Sequence, residues 1–155
     1  MLASMADIKS VEQRSANMRR IRRRNGKAEL ALRRAVFNLG GRYRVDDGSV
    51  LGRPDLCFRH AKVAVFVDSR FWHGQLAPSR IARMQRYWRE KLTRNRLRDI
   101  AVNRSLARRG WLVIRVPERT ALKHPGELAN FVVESVRTPR LAGSILRLDK
   151  LEKIA

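Results

Sequence analysis

The sequence predicts a single α/β domain in which helices flank a mixed β-sheet, and three observations support this. The chain has 155 residues, of which 44% are hydrophobic, enough to bury one compact core. Apolar runs of strand length alternate with longer stretches in which apolar residues recur at intervals of three and four. Two of the strand-like runs are separated by a tight turn, which makes them antiparallel neighbours.

The first half is expected to hold two helices and a hairpin. Ser10 opens a capping-box signal for a helix that ends at Asn25-Gly26, and a second helix runs from about Ala28 to Gly40-Gly41. The elements that follow are a short strand at Tyr43 and Val45, a loop over 46–49, and strands over 55–58 and 62–68 joined by a turn at 59–61. The last strand is apolar on both faces, as in a central strand covered by helices.

The second half is expected to be helical from Ser79 to Arg109, with a break. A buried strand follows over 111–116, and Pro125 opens a further helix. We therefore expect one domain over 1–155, with residues 1–9 as an N-terminal extension and 140–155 as a C-terminal tail. Amphipathic spacing in the tail allows a helix there.

Charge limits the choice of partner. The formal net charge is +21, from 35 Lys and Arg against 14 Asp and Glu. A surface this basic favours a polyanion, because each neutralised phosphate releases condensed counterions. Nucleic acid is the expected partner, although composition alone does not separate an enzyme from an architectural binder.

Cysteine content and hydropathy indicate the cellular compartment that we expect for this protein. Cys57 is the single cysteine in the sequence, which excludes an internal disulfide and a zinc site of several thiolates. We find no apolar run of membrane-spanning length and no signal-peptide core. We expect a cytoplasmic protein without a membrane partner, associated with the bacterial nucleoid through its substrate.

Two acids stand out in this basic chain. Asp55 follows Gly52-Arg53-Pro54, and Asp68 ends the apolar run that forms the second strand of the hairpin. Paired strands can bring both carboxylates to one end of the hairpin, where they can hold Mg²⁺ against a phosphate. The alternative makes Asp55 a turn residue and Asp68 a helix cap or a solvated charge.

Further candidate residues follow the hairpin. His73 is the best placed of the three histidines to transfer a proton, because it follows the strand that carries Asp68. Phe71 and Trp72 either close the core or wedge into a base stack. Trp88 lies on the apolar stripe of its helix, where core packing is the alternative to DNA contact. The basic face nearby is expected to track phosphates, and it includes Arg86, Arg89, Lys91 and Arg94.

Taken in order, these residues resemble the very-short-patch-repair (Vsr) endonucleases, which nick DNA beside T:G mismatches. The resemblance runs from about Arg14 to Ala121. It is carried by Arg14-Ser15-Ala16-Asn17-Met18-Arg19, Glu29, Gly52-Arg53-Pro54-Asp55, Phe71-Trp72-His73, Tyr87-Trp88, Glu90-Lys91, Asn95 and Arg98-Asp99. Several spaced blocks in the right order are far more specific than any one of them.

The resemblance implies a restriction-endonuclease-like fold, a mixed sheet flanked by helices. It implies Asp55 as the central Mg²⁺ ligand with the backbone carbonyl near Val67, His73 in the catalytic water network and Glu29 in support. The implied DNA contacts are intercalation by Phe71, Trp72 and Trp88, approach by Met18 from the other groove, and reading of the T:G pair by Lys91 and Asn95. Arg53 and Arg94 are further candidates for DNA binding through their charge.

The chain departs from the family in two respects. Asp68 and Arg70 replace a His and a Cys, so that Asp55 with Asp68-Ser69-Arg70 approaches the wider PD-(D/E)xK nuclease pattern, with Arg in place of Lys. Arg cannot act as a general base, but it can stabilise charge on a phosphorane. The His and Cys ligands of the family's structural zinc are missing from 74–78 and near Arg119, so we expect no structural zinc.

The predicted function is therefore a Mg²⁺-dependent endonuclease that nicks one strand of mismatched double-stranded DNA at T:G pairs. We expect a monomer, with mismatch-repair accessory proteins as further partners. Two alternatives stay open. One is a related nicking nuclease with relaxed mismatch tolerance or another DNA substrate, and the other is a DNA-binding module that keeps the fold without the chemistry.

Overall fold

A computed structural model describes residues 26–69, 78–138 and 140–149. Within these ranges the elements are, in chain order, α1 (Lys27–Asn38), β1 (Leu56–Phe58), β2 (Val63–Asp68), α2 (Pro78–Ala82), α3 (Arg86–Arg108), β3 (Leu112–Pro117), α4 (Glu118–Lys123), α5 (Pro125–Arg137) and β4 (Ile145–Arg147). Helices and strands alternate along the chain, as expected for an α/β domain.

The four described strands form one mixed sheet in the order β1-β2-β3-β4. β1 pairs antiparallel with β2, with Leu56 opposite Val65, which confirms the predicted hairpin. β2 pairs parallel with β3, and β3 pairs parallel with β4. The antiparallel pair is joined by a turn, whereas α2 and α3 lie between β2 and β3, as a parallel crossover requires.

Helices cover both faces of the sheet. On one face, Leu32 and Val36 of α1 and Leu128 of α5 are fully buried against Val65 and Ile114. On the other, Leu106 and Val102 of α3 pack with a smaller apolar cluster formed by Val50, Cys57, Ala64, Phe66 and Val113. β2 and β3 alternate their side chains between these clusters, which explains why β2 is apolar on both faces.

The helix predictions agree closely with the structure. The second predicted helix is α1, and the expected break after Ser79 separates α2 from α3. Pro125 occupies the first turn of α5, as predicted. The first predicted helix, which begins at Ser10, lies outside the described residues.

Three expectations for other segments were wrong or incomplete. The spacing in the tail allowed a helix, but its described part contains the strand β4, which pairs with β3 from a distant part of the chain. The strand expected at Tyr43 and Val45 is reduced to a single bridge between Arg44 and Cys57. The short helix α4 was not predicted. No helix among the described residues is long and apolar enough to cross a membrane.

The two acids predicted to form the site lie at the same end of the sheet. β2 and β3 run in the same direction, so Asp68 and Pro117 end at the same level. Asp55 precedes the antiparallel strand β1 and therefore lies at that same end. We call this the acidic end, defined by Asp55, Val67 and Asp68.

Candidate active site

Asp55 is fixed against β2 by two backbone contacts. Its own amide donates to the Val65 carbonyl at 2.9 Å. The amide of Val67 donates to Oδ2 of the Asp55 carboxylate at 2.7 Å. The carboxylate therefore has a fixed position beside Val67, and the family-derived pairing of Asp55 with Val67 is geometrically possible.

The turn before Asp55 depends on a glycine. Gly52 has φ +81°, and a Cβ there would lie 2.6 Å from Cγ1 of Val102 and 3.2 Å from the Phe66 ring. A larger residue would be strained by its backbone angle and would push against α3. Gly52 thus allows the loop to pack closely enough to bring Asp55 to the end of β2.

Arg33 links α1 to the acidic end of the sheet. The sequence analysis did not identify this residue. The side chain is buried, with Nε donating to the Asp55 carbonyl at 3.2 Å and Nη2 lying 3.3 Å from Oε2 of Glu29. The Tyr43 hydroxyl donates to the Arg33 carbonyl at 3.0 Å. Glu29 is therefore near Asp55 but is bound to Arg33; its supporting role in catalysis stays a prediction. The available signal was the position of Arg33 beside Leu32 on the inward face of α1.

Burial, together with the smaller effects of the negative charges of Glu29 and Asp68, raises the pKa of Asp55 to about 6. The Val67 amide and the Arg33 guanidinium act in the opposite direction. A carboxylate that burial and like charges keep partly protonated gains a large stabilisation when a cation arrives. The electrostatics of this end therefore favour a bound cation at Asp55.

Asp68 lies in a different environment from Asp55. Its side chain is buried and its Oδ1 accepts from Nη1 of Arg115 at 2.7 Å. Nη2 of Arg115 lies 3.1 Å from Asp99 and Nε donates to Asn103 at 3.1 Å, both on α3. The hairpin thus brings Asp55 and Asp68 to one end as predicted, but the Asp68 carboxylate is engaged by a buried arginine. Its catalytic role stays a prediction.

The oxygen donors at Asp55 suit a hard cation. Mg²⁺ keeps several waters and is often held by one or two carboxylates, so a carboxylate with a neighbouring backbone carbonyl is a sufficient protein contribution. Across residues 26–69, 78–138 and 140–149, no three His, Cys, Asp or Glu side chains come together as a metal site. The oxygen donors of Asp55 and the Val67 backbone are of the type that Mg²⁺ binds.

The predicted base-contacting residues share one face of α3. Trp88, Lys91 and Asn95 follow at helical intervals and are all partly buried, whereas Arg94 is exposed. Nζ of Lys91 lies 5.4 Å from the centre of the Trp88 ring. Trp88 packs edge-on against Tyr87, with ring centres 5.3 Å apart, and belongs to neither apolar cluster of the described residues. We call Trp88, Lys91 and Asn95 the reading face.

Arg53 precedes Asp55, the candidate metal ligand, by two residues in the sequence. Its φ is +50°, an unusual value for a residue other than glycine, and its side chain is 58% exposed. Its Nη1 lies 3.8 Å from Oδ1 of Asp46, and an exposed pair at this distance is weak. The exposed guanidinium can therefore exchange this contact for one with a phosphate. The predicted site residues Met18, Phe71, Trp72 and His73 lie outside the described residues.

Comparison with known proteins shows which family the sequence resembles. Residues 6–77 match the family model described as DNA mismatch endonuclease Vsr. Type II nicking enzyme V.NmeDIP of Neisseria meningitidis serogroup C is 40% identical over 129 residues, which cover 81% of this chain and 87% of that protein. Type II nicking enzyme V.NaeI of Lentzea aerocolonigenes is 46% identical over 71% of this chain and 70% of its own length. DNA mismatch endonuclease Vsr of Escherichia coli K12 is 33% identical over 74% of each chain.

Proposed function

The chain belongs to the Vsr family of DNA endonucleases, and from that premise we propose that it nicks one strand of duplex DNA at T:G mismatches in a Mg²⁺-dependent reaction. The family implies a restriction-endonuclease-like fold, with which the mixed sheet and its flanking helices are consistent. The observation that carries the proposal is Asp55, a partly buried carboxylate with its pKa raised to about 6, at the end of β2 in a strongly basic protein.

Asp55 and the carbonyl of Val67 would hold the magnesium ion. When bound, Mg²⁺ polarises the scissile phosphate and lowers the pKa of a coordinated water. The Val67 amide fixes the Asp55 carboxylate through its 2.7 Å hydrogen bond, and Arg33 holds the Asp55 backbone from α1. Glu29 orients Arg33 through their 3.3 Å ion pair.

Two basic side chains, Arg53 and His73, act on the substrate. The guanidinium of Arg53 is exposed and contacts a phosphate. His73 transfers a proton, as an imidazole does near neutral pH.

The reading face of α3 supplies selectivity. Lys91 donates to base carbonyls, and Asn95 both donates and accepts, so together they distinguish a G:T wobble from a paired T:A. Trp88, Phe71 and Trp72 stack on or enter the mismatched step, with Met18 on the opposite groove. Arg94 is exposed on α3 and contributes phosphate affinity without sequence information.

A nicking assay across substrates tests this proposal. Purified protein is incubated with T:G, other mismatched and fully paired duplexes of one flanking sequence, with and without Mg²⁺. We expect Mg²⁺-dependent nicking of one strand of the T:G duplex, and loss of nicking in Asp55→Asn with duplex binding nearly intact, because a neutral amide binds Mg²⁺ poorly. Substantial nicking by Asp55→Asn excludes the metal assignment.

A nuclease with relaxed substrate choice is the second candidate. It is favoured by the relatives from N. meningitidis and L. aerocolonigenes, which are named as nicking enzymes without a stated mismatch. Equal nicking of T:G and paired duplexes selects this candidate. The third reading, a DNA-binding module that has lost the chemistry, is selected if binding occurs without any metal-dependent nicking.

A further inference from the structure

Arg115 is a buried arginine in the middle of an otherwise apolar strand. It is 5% exposed and makes contacts through all three of its nitrogens. Nη1 bonds Asp68 at 2.7 Å, Nη2 pairs with Asp99 at 3.1 Å and Nε donates to Asn103 at 3.1 Å. The guanidinium also lies 4.5 Å from the centre of the Phe66 ring. One side chain of β3 therefore joins β2 to α3.

The two α3 partners of Arg115 lie on the helix face that carries the reading residues. Asp99 follows Asn95 by four residues and Asn103 follows Asp99 by four, so the reading face continues directly into the Arg115 contacts. A helix rises about 1.5 Å per residue, which places Lys91 roughly 12 Å from Asp99 along the axis. Both groups move with any rotation of α3.

Asp68, the β2 partner of Arg115, follows directly after a residue that contacts Asp55, the candidate metal ligand. Asp68 is the last residue of β2, and the preceding residue Val67 donates its amide to the Asp55 carboxylate. A short series of contacts therefore connects the reading face with Asp55, through Asp99, Arg115, Asp68 and Val67.

Among the described residues, apolar packing holds α3 at few points. Leu92 and Leu106 are buried and Val102 packs in the smaller cluster, whereas Leu97 and Ile100 are exposed. Apolar contacts tolerate small rotations of a helix, but a planar guanidinium that bonds acceptors one helical turn apart tolerates few. The Arg115 contacts are therefore a directional part of the packing between α3 and the sheet.

We propose that Arg115 is a positioning residue that sets the reading face of α3 relative to Asp55, so that selectivity for the mismatch depends on a buried group distant from the bases. The proposal rests on the proposed function, since it concerns how that function's selectivity is achieved. A purely structural role would change stability and overall rate but would leave the preference between duplexes unchanged.

The test measures kcat/KM for nicking T:G and paired duplexes by wild type, Asp99→Asn and Arg115→Lys. Asp99→Asn keeps the shape of the side chain but removes the ion pair, and Arg115→Lys keeps the charge but cannot reach three acceptors as a fork. We expect each variant to reduce the T:G preference by about three- to tenfold, the usual scale of indirect coupling. Thermal unfolding verifies that each variant is folded.

Glu90→Gln is the matched control. Glu90 also forms an arginine–carboxylate pair on α3, with Arg86 at 2.7 Å, but this pair is exposed and lies within the helix. The control removes the same charge from the same helix, so it should change binding to both duplexes alike and leave the preference at the wild-type value. If Asp99→Asn does not fold, Asn103→Ala replaces it, because it removes one acceptor without unpairing a charge.

The outcomes separate the two proposals. Wild-type protein that shows no T:G preference overturns the proposed function and the positioning role with it. A selective wild type with folded Arg115 and Asp99 variants of unchanged preference overturns the positioning role alone. Reduced preference in those variants, with Glu90→Gln unchanged, supports it.

Discussion

At the scale of single residues, Asp55 and Asp68 lie at one end of the sheet but in different electrostatic environments. Asp68 accepts from a buried guanidinium at 2.7 Å. Asp55 accepts a hydrogen bond from a backbone amide at 2.7 Å, and burial together with the charges of Glu29 and Asp68 outweighs the opposing charge of Arg33. Since ionising a partly buried carboxylate in this environment is costly, a bound Mg²⁺ would stabilise its charged form.

The raised pKa of Asp55 gives a pH dependence of stability with a defined sign. The folded pKa of about 6 exceeds the ordinary value of 3.8, so the stability gained from the protonated form is full below about pH 4 and is lost as pH rises through 6. In chelator, the free energy of unfolding of wild type should fall by roughly 1–3 kcal/mol between pH 4 and 7, relative to Asp55→Asn.

Denaturant unfolding of both proteins over this pH range measures the difference. Asp55→Asn is the suitable reference, because an amide keeps the acceptor for the Val67 N–H and carries no charge. Mg²⁺ added near pH 7 should stabilise wild type and leave Asp55→Asn almost unchanged. A pH-independent difference between the two proteins contradicts the burial of an ionisable Asp55.

At the scale of elements, the sequence predicts what short-range patterns determine. The hairpin of β1 and β2 is set by two adjacent runs and a tight turn, and α1, α3 and α5 by helical spacing with clear start and stop residues. β4 has three residues and one of them is partly buried, so its identity depends on pairing with β3 rather than on its own pattern. Local spacing there favoured a helix, and tertiary pairing overrode it.

The residues of the candidate site likewise divide into those that local sequence patterns predict and those that only tertiary packing identifies. Asp55 was found because a local motif and its charge made it unusual among the residues of the chain. Arg115 was missed because its partner Asp68 is 47 residues away and its other partners are on a helix. A charged residue in an apolar strand signals that partners exist, but only the packing of β2, β3 and α3 identifies them.

The reading face leads to a prediction at this scale. Lys91→Ala or Asn95→Ala should reduce the preference for T:G over paired T:A by roughly 1–3 kcal/mol each, the scale of a base contact. Arg94→Ala is the control on the same helix, since the exposed Arg94 should contact phosphate and weaken binding to both duplexes alike. Competitive binding and nicking assays with the two duplexes measure these effects. A uniform loss in all three variants argues against base reading by α3.

At the scale of the whole molecule, the described residues form a core through apolar packing, and we expect the fold to form without a bound metal. The core is closed by apolar side chains on both faces of the sheet. Cys57 is buried, and burial raises its pKa to about 11, which disfavours the thiolate that binds zinc. Stability should therefore come from packing, and metal should serve only the reaction.

This view predicts the metal content of the purified protein. Elemental analysis should find well under one zinc per chain, because one cysteine and three histidines offer few of the ligands that a structural zinc site uses. Chelation should stop nicking without unfolding the domain, as followed by circular dichroism during a thermal scan. About one tightly bound zinc per chain, or unfolding on chelation, contradicts the prediction.

The net charge of +21 leads to the last prediction, which separates affinity from selectivity. Phosphate contacts release counterions, so the logarithm of the binding constant should fall linearly with the logarithm of the salt concentration, with a slope of about 0.9 per contacted phosphate. The base contacts of the reading face release none. Affinities for T:G and paired duplexes measured at several salt concentrations should therefore give parallel lines separated by a constant preference. A steeper line for the T:G duplex means that the mismatch recruits further phosphate contacts, and selectivity then comes from a change in DNA path rather than from Lys91 and Asn95.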